Sequence, residues 1–372
     1  MSANYIRQLK ISTYRGISNL ELNDLGAVNI LLGDNNCGKT SVLEVIKSLQ
    51  FPGDVRTWRN IAYRSQNILV ARDSLFDAFI FLTDINNEDH QIKYSVDIEG
   101  ASHVIEINES VEDVEITFAE AKEMNLWMPW HVDEPENEDT LVPDAQKIRI
   151  EFLIDKQSVL NSEIYNFSGS RLVVGEKEQG VKLMERRVNF ISPVQHADAR
   201  PFLKDVFNTP ELYESMLNVL REFDPGVISI NVDNGSPYTR KSVYKILSKE
   251  NAEALPLDVY GDGMKKAILL MSAVVASKDG VLLIDEFETA IHISAMESLY
   301  SWLLESCKLL NVQLFMTTHS IEAVDKLLES SEHTEEIRVI RLKKKNGKTY
   351  SRILSGKEAL EDRQNYDMEL RI

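Results

Sequence analysis

Asn29-Ile30-Leu31-Leu32-Gly33-Asp34-Asn35-Asn36-Cys37-Gly38-Lys39-Thr40-Ser41 decides the fold. The apolar run from Val28 to Leu32 reads as a buried strand. It breaks at Gly33, passes through a polar loop and restarts at Gly38 as a helix carrying Val42, Leu43, Val45, Ile46 and Leu49. Gly33 to Thr40 fits G-x-x-x-x-G-K-[ST], the phosphate-binding loop. Glycines at both ends let the backbone curl until successive N–H groups converge on phosphate oxygens. The new helix adds the positive end of its dipole. Asn35, Asn36, Cys37 and Ser41 are counted with the loop as nucleotide-binding; Lys39 reaches for the β- and γ-phosphates, and the Thr40 hydroxyl is a Mg²⁺ ligand. A glycine-bounded surface turn would leave the strand before it and the helix after it unexplained.

Outward from this loop, the sequence before it alternates as a hairpin: Ile6, Leu9 and Ile11, a turn at Arg15-Gly16, then Ile17, Leu20 and Leu22. Arg15 has two readings, a contact to nucleotide phosphate and a turn arginine in solvent. Farther along the chain, Val281-Leu282-Leu283-Ile284-Asp285-Glu286 reads as a buried parallel strand that delivers two carboxylates at its C-terminal edge, where ligands bind in open α/β sheets. Asp285 suits the Mg²⁺ shell and Glu286 suits a general base acting on the attacking water. Upstream, Tyr260-Gly261-Asp262-Gly263 opens a strongly apolar helix, where bare backbone N–H groups face an anion. Downstream, Leu314-Phe315-Met316-Thr317-Thr318-His319-Ser320 is a second buried strand, ending in a histidine that can donate to a γ-phosphate or serve as a structural hydrogen-bonder.

The chain has 372 residues, 43% of them hydrophobic, two cysteines and a net charge of −18. No apolar run reaches membrane-spanning length, no signal peptide is visible, and two cysteines make no disulfide framework, so a cytoplasmic location is expected. The charge is local: Glu99 to Asp144 holds 14 acidic residues and one basic residue, leaving −5 for the other 326. That stretch is a poor match for a phosphate backbone. From Phe51 to about Val188 the pattern suggests an antiparallel insert, with strands at Phe76–Phe81, Ile92–Ile98, Val104–Ile107, Val114–Phe118, Ile148–Ile154 and Leu172–Val174. Lys122 to Asp144 reads as a loop whose Trp127 and Trp130 either anchor a partner or cap the insert. Beyond it come a strand ending at Phe190-Ile191, helical patterns at 199–207 and 210–223, and a strand-rich stretch at 226–247. Gln195 is either a Mg²⁺ and water ligand or a solvated loop residue. Arg338 to Lys345 forms a basic strand turning at Asn346-Gly347; its lysines protect a sheet edge or meet nucleic acid or a protein partner. A polar helical end follows Leu354.

In their order along the chain, these motifs resemble the ABC-type ATPases of the SMC, RecF and OLD (overcoming lysogenization defect) group. Within it they are most similar to the OLD-like AAA_15/AAA_21 ATPases of bacterial antiphage systems. Tyr14-Arg15-Gly16-Ile17 matches their N-terminal arginine motif, and Glu288 and His292 match their Asp-Glu-x-Glu-x-x-x-His stretch. The resemblance spans about residues 4–50 and 186–345. It implies an α/β ABC-type ATPase head with a P-loop sheet core and an antiparallel β subdomain. The head comprises residues 1–50 and 186–354, a strand-rich insert with the acidic loop fills 51–185, and a helical tail fills 355–372.

The resemblance also implies two heads dimerising head to tail around ATP–Mg²⁺. Gly33, Asn36, Gly38, Lys39 and Thr40 hold the nucleotide in cis, and Gly261, Asp262 and Gly263 cap it from the partner. Glu286 is then the base and His319 the γ-phosphate sensor. The usual signature serine is absent, Tyr260-Gly261-Asp262 standing near its place, and no glutamine-loop consensus surrounds Gln195. The 53 residues after His319 are too few for a TOPRIM nuclease domain. The expected function is therefore an ATPase that homodimerises, or assembles further, and governs a separately encoded nuclease-like effector, with nucleic acid as a further candidate partner. A RecF-like DNA-repair clamp is the alternative, and an ATP-binding scaffold without turnover is a third, disfavoured by the intact Glu286. Replacing Lys39 should abolish ATP binding in an equilibrium titration; unchanged affinity would overturn the phosphate-loop assignment.

Overall fold

A computed structural model describes residues 3–64, 82–83, 91–123, 139–142, 145–167, 170–174, 181–193, 202–233 and 243–366. The strands are β1 (Ile6–Tyr14), β2 (Ile17–Leu22), β3 (Val28–Gly33), β4 (Gln91–Ile98), β5 (Ala101–Asp113), β6 (Gln146–Ile154), β7 (Gln157–Phe167), β8 (Ser170–Val174) and β9 (Val188–Ile191). They continue with β10 (Val227–Asp233), β11 (Val243–Ser248), β12 (Leu255–Pro256), β13 (Val281–Ile284), β14 (Gln313–Thr318), β15 (Ile337–Lys345) and β16 (Lys348–Ser355). The helices are α1 (Lys39–Ser48), α2 (Val55–Tyr63), α3 (Phe118–Glu123), α4 (Leu203–Phe207), α5 (Pro210–Leu220), α6 (Asp262–Ala276), α7 (Ile293–Leu309), α8 (Ile321–Glu329) and α9 (Gly356–Tyr366).

The central sheet runs β16-β15-β3-β14-β13-β9. All its pairings are parallel except that of the outermost strand, β16, with β15. Every residue of β3, β13 and β14 is buried, as befits strands covered on both faces. Alternate residues serve different layers. Ile30, Leu32, Leu282, Ile284, Leu314 and Met316 pack on the side covered by α4 to α8. Leu31, Val281, Leu283, Phe315 and Ile340 face α1, α2 and the second sheet. The period of two in side-chain direction thus sorts one apolar run into two cores.

The second sheet is antiparallel, in the order β2-β1-β4-β5-β6-β7-β8. The strands of the 51–185 segment continue the sheet that the N-terminal hairpin begins, because β4 pairs with β1. Hairpins β4–β5, β6–β7 and β15–β16 turn at Glu99-Gly100, Asp155-Lys156 and Asn346-Gly347, where both residues have positive φ. This is the turn whose twist matches the flanking strands. A small third sheet, β10-β11-β12, lies before α6.

Several local expectations are corrected. Val114–Phe118 is not a strand: an isolated bridge joins Thr117 to Leu141, and α3 begins at Phe118. Thr117 and Glu120 bond reciprocally through side chain and backbone N–H, a capping box spelled Thr-Phe-Ala-Glu, which outweighs the alternation of Val114, Ile116 and Phe118. Helix α2 was hidden in a stretch read as strand-rich; Asp54 caps it by accepting from Arg56 N at 2.8 Å, and Trp58 and Ile61 are its buried residues. Strand β15 is not an edge. Its pairing with β3 stops at Leu342 opposite Gly33, so Lys343 to Lys345 project beyond the sheet on the hairpin. The expected strand at 76–81, Trp127, Trp130 and Gln195 lie outside the described residues.

Two buried amides tie the N-terminal segment to the central sheet. Gln313, fully buried at the start of β14, accepts from the N–H groups of Tyr5 (3.1 Å) and Ile6 (2.9 Å). It donates to the carbonyls of Ile6 and Gly26, both at 2.9 Å. Asn29 bonds Gly26 in both directions at the start of β3. Replacing Gln313 with leucine leaves several of these backbone groups unpaired. At about 1 kcal/mol or more for each unmade bond, the variant should lose ~3 kcal/mol in a denaturant titration. A change below ~1 kcal/mol would show that the amide does not anchor the segment.

Candidate nucleotide-binding and hydrolytic site

The parallel register brings three strand ends to one edge of the central sheet. Ile284 pairs with Met316, and Thr318 pairs with Leu32, so Gly33, Asp285 and His319 leave the sheet side by side. The loop after β3 turns into α1 through Asn36 (φ 63°) and Gly38 (φ 101°). Both glycines are required by what surrounds them. A Cβ on Gly33 would collide with the carbonyl oxygen of Leu342, and one on Gly38 would lie 2.9 Å from Ile17. Cys37 turns inward and is buried, packing with the loop rather than facing the cleft.

The cleft at this edge has a volume of about 580 Å³, enough for a nucleoside triphosphate. Asn35, Asn36, Gly38, Lys39, Thr40 and Ser41 line one side, and Asp285, Glu286 and His319 the other. Lys39 donates from Nζ to the carbonyls of Gly33 (2.6 Å) and Asp34 (2.9 Å), and to His319 Nδ1 at 3.1 Å. An ammonium has only donors, so Nδ1 must accept and the imidazole proton sits on Nε2. That proton points to Glu286 Oε1, 3.3 Å away. Burial pulls the Lys39 ammonium below the ordinary lysine range, while Cys37, Asp285, Asp34 and Glu286 draw it back up.

Asp285 is the junction of the site. It accepts from Thr40 Oγ1 at 3.0 Å and 3.2 Å and makes a short hydrogen bond with Thr317 Oγ1. The same Thr317 hydroxyl accepts from the backbone N–H of Glu286 at 2.9 Å, and the Thr317 carbonyl accepts from Phe287 N. These bonds hold Glu286 at φ 50°, a left-handed conformation that few non-glycine residues adopt. Glu288 Oε1 accepts from the backbone N–H of His319 at 3.1 Å, fixing the loop that carries the histidine. Among the described residues no three His, Cys, Asp or Glu side chains converge as a metal cage. One hydroxyl and one carboxylate, hard oxygens 3.0 Å apart, form the sparse donor set that suits Mg²⁺ completed by water and phosphate oxygens.

Arg15 does not line the cleft. Its guanidinium donates to Tyr14 Oη (3.1 Å) and to the carbonyls of Ile61 and Ala62, and it pairs with the buried Glu44 at 3.3 Å. Arg64, which the sequence did not single out, takes the place expected for it on the wall. Its Nε donates to Glu44 at 2.7 Å and the side chain is half exposed. Lys344 reaches the opposite rim from the β15–β16 hairpin, over Gly16. Nothing in the local sequence of Arg64 signals this; only the packing of α2 against α1 carries it there. Gly261, Asp262 and Gly263 are not part of this cleft: Gly261 caps α6 on the surface, with nothing within 4 Å of where a Cβ would stand.

A parallel sheet presenting a phosphate loop, an Asp-Glu strand end and a histidine on one edge defines an ATPase head of the ABC type. The family described as "AAA domain, putative AbiEii toxin, Type IV TA system" (AAA_21) matches residues 28–325, and the chain belongs to it. An ATP/GTP phosphatase of Helicobacter pylori is 25% identical over 362 residues, which cover 91% of this chain and 92% of that protein. The DNA replication and repair protein RecF of Clostridium botulinum is 45% identical over 56 residues, 15% of this chain and 16% of RecF. In fold, the chain is similar to the head domain of an Smc protein bound to the C-winged helix domain of ScpA, with a TM-score of 0.51 and 12% identity over 96% of this chain and all of that one.

Thr317 tests the junction. Thr317→Val keeps the side-chain shape and removes the hydroxyl that serves both Asp285 and Glu286. Nucleotide affinity should stay within a few-fold while turnover falls about 10- to 100-fold, as for other groups that orient metal ligands. Wild-type turnover in steady-state kinetics would show that Asp285 and Glu286 need no such support.

Proposed function

We propose that the chain is a Mg²⁺-dependent ATP hydrolase that works as a cytoplasmic homodimer and regulates a separately encoded, nuclease-like effector in antiphage defence. One observation carries the hydrolase reading: Lys39, Thr40, Asp285, Glu286 and His319 meet in a single cleft, joined by hydrogen bonds. The H. pylori relative, an ATP/GTP phosphatase, supports a purine nucleoside triphosphate as substrate. Lys39 exchanges its two backbone carbonyls for β- and γ-phosphate oxygens. Thr40 and Asp285, with Gln195 as a further candidate, would hold Mg²⁺, which would supply charge neutralisation at the phosphates. Glu286 takes a proton from the attacking water, and His319 turns its Nε2 proton from Glu286 to the γ-phosphate.

The dimer and the effector rest on less direct grounds. Gly261 and Asp262 are exposed at the start of a fifteen-residue helix and lie outside their own chain's cleft, which suits capping a partner's nucleotide. The toxin–antitoxin description of the family supports a partner protein under control. A RecF-like DNA clamp is the second reading, favoured by the RecF match and by the exposed Lys343, Lys344, Lys345 and Lys348 at one hairpin tip. DNA affinity that falls steeply as salt rises would support the clamp, and co-purification with the product of a neighbouring gene the effector reading.

Glu286→Gln tests the chemistry. The amide keeps the shape and cannot take a proton, so ATP should bind as in the wild type while turnover falls about 100-fold or more. Normal turnover would remove Glu286 as the base.

A further inference from the structure

Lys266 is a lysine with no exposed surface, on the second turn of α6, the helix that Gly261 caps. Its Nζ has no hydrogen-bond partner. Burying an ammonium without a partner costs several kcal/mol, so the position needs a reason. Two other buried polar atoms without a partner belong to the same neighbourhood: Oε2 of Glu288 and the hydroxyl of Tyr300. The groups whose charge acts on Lys266 are Glu288, then Glu286 and Asp285, the carboxylates of the site's edge. Burial pushes the ammonium down to about 8, and those three carboxylates draw it back up. Glu288 also acts on Tyr300, whose hydroxyl burial holds far above the ordinary tyrosine range. The helix start and the carboxylate turn are in contact, since a Cβ on Gly263 would lie 3.0 Å from the carbonyl of Ala290.

We propose that Lys266 is a positioning residue for hydrolysis: its buried side chain keeps Glu288 turned to the His319 backbone N–H, and so keeps His319 against Glu286. The inference rests on the ATPase reading above. Glu288 has two oxygens with different tasks. Oε1 holds His319 N at 3.1 Å, and Oε2 is left toward the protein interior without a donor. In a low-dielectric interior an ammonium nearby is felt strongly even without a direct bond. Asp285, Glu286 and Glu288 repel one another; buried Lys266 offsets the charge of all three, and Lys39 that of Asp285 and Glu286 from the cleft. Because Lys266 belongs to the helix begun by Gly261, a shift of that segment alters the field at Glu288. The exposed Gly-Asp-Gly segment is thereby coupled to the hydrolytic groups.

The test uses the full chain carrying K266M, K266R, E288Q, and K266M with E288Q. Steady-state ATP turnover, the Kd of a non-hydrolysable ATP analogue and Tm are read for each, with wild type and E286Q as controls. K266M, which keeps the stem and removes the charge, should hold Kd within about twofold and Tm at or above wild type while kcat falls about tenfold or more. K266R should restore most of that loss. The double variant should be no slower than the slower single, because both changes act through one pair. Wild-type kcat in K266M, or losses that add in the double variant, overturn the inference. Should K266M lose Tm, K266R decides: recovered kcat supports the inference, and kcat as low as in K266M with normal Tm overturns it. A wild-type chain without turnover removes the ATPase reading and the inference together, whereas failure of K266M alone leaves that reading standing.

Discussion

Asp285 accepts hydrogen bonds from Thr40 and Thr317, and through these two contacts three separate strand ends become one site. Thr40 belongs to the helix after β3, Asp285 follows β13 and Thr317 lies within β14. None is near another in sequence; 245 residues separate Thr40 from Asp285. Parallel pairing in fixed register makes the meeting possible, because a slip of one residue would turn every side chain to the opposite face. The register is held by the apolar alternation that feeds two cores at once, and by the buried amides of Asn29 and Gln313 at the other end of the same strands. The geometry of the site is thus a consequence of how the sheet is packed.

Charge at this edge is arranged in the same way. Asp285, Glu286 and Glu288 converge within four residues, and two lysines oppose them: Lys39 from the cleft and Lys266 from the interior. Lys39 has all three of its donors engaged, which holds His319 as the tautomer with its proton directed at Glu286. On the wall, buried Glu44 pairs with Arg15 and with Arg64 and accepts from Tyr14; Arg15 is drawn inward to α2, and Arg64, half exposed, lines the cleft. An arginine called to the cleft by its motif is spent on α2, and another on the end of α2 replaces it. Single-residue expectations fail most readily where one buried charge must choose between neighbours.

Much was legible in the chain. Gly33 to Thr40, the Val281–Glu286 run, the Leu314–His319 run and the Asn346-Gly347 turn state their structure locally, because each depends on chain stiffness, apolar continuity or positive φ within a few residues. The α/β head architecture was implied by the family resemblance that their order carries. Strand Val114–Phe118 failed because a capping box four residues long competes with alternation, and α2 was missed because its cap, Asp54, sits inside a stretch whose strands dominate the pattern.

The sequence by itself determined that a phosphate loop, two carboxylates and a histidine would stand at strand ends of a buried sheet. Tertiary structure decided which of them touch, that Arg64 and Lys344 rather than Arg15 border the cleft, and that Lys266 lies fully buried within the field of Glu288. The reason is physical. A motif reports the conformation of its own few residues, whereas contact, burial and field are properties of elements hundreds of residues apart that only the packed sheet brings together.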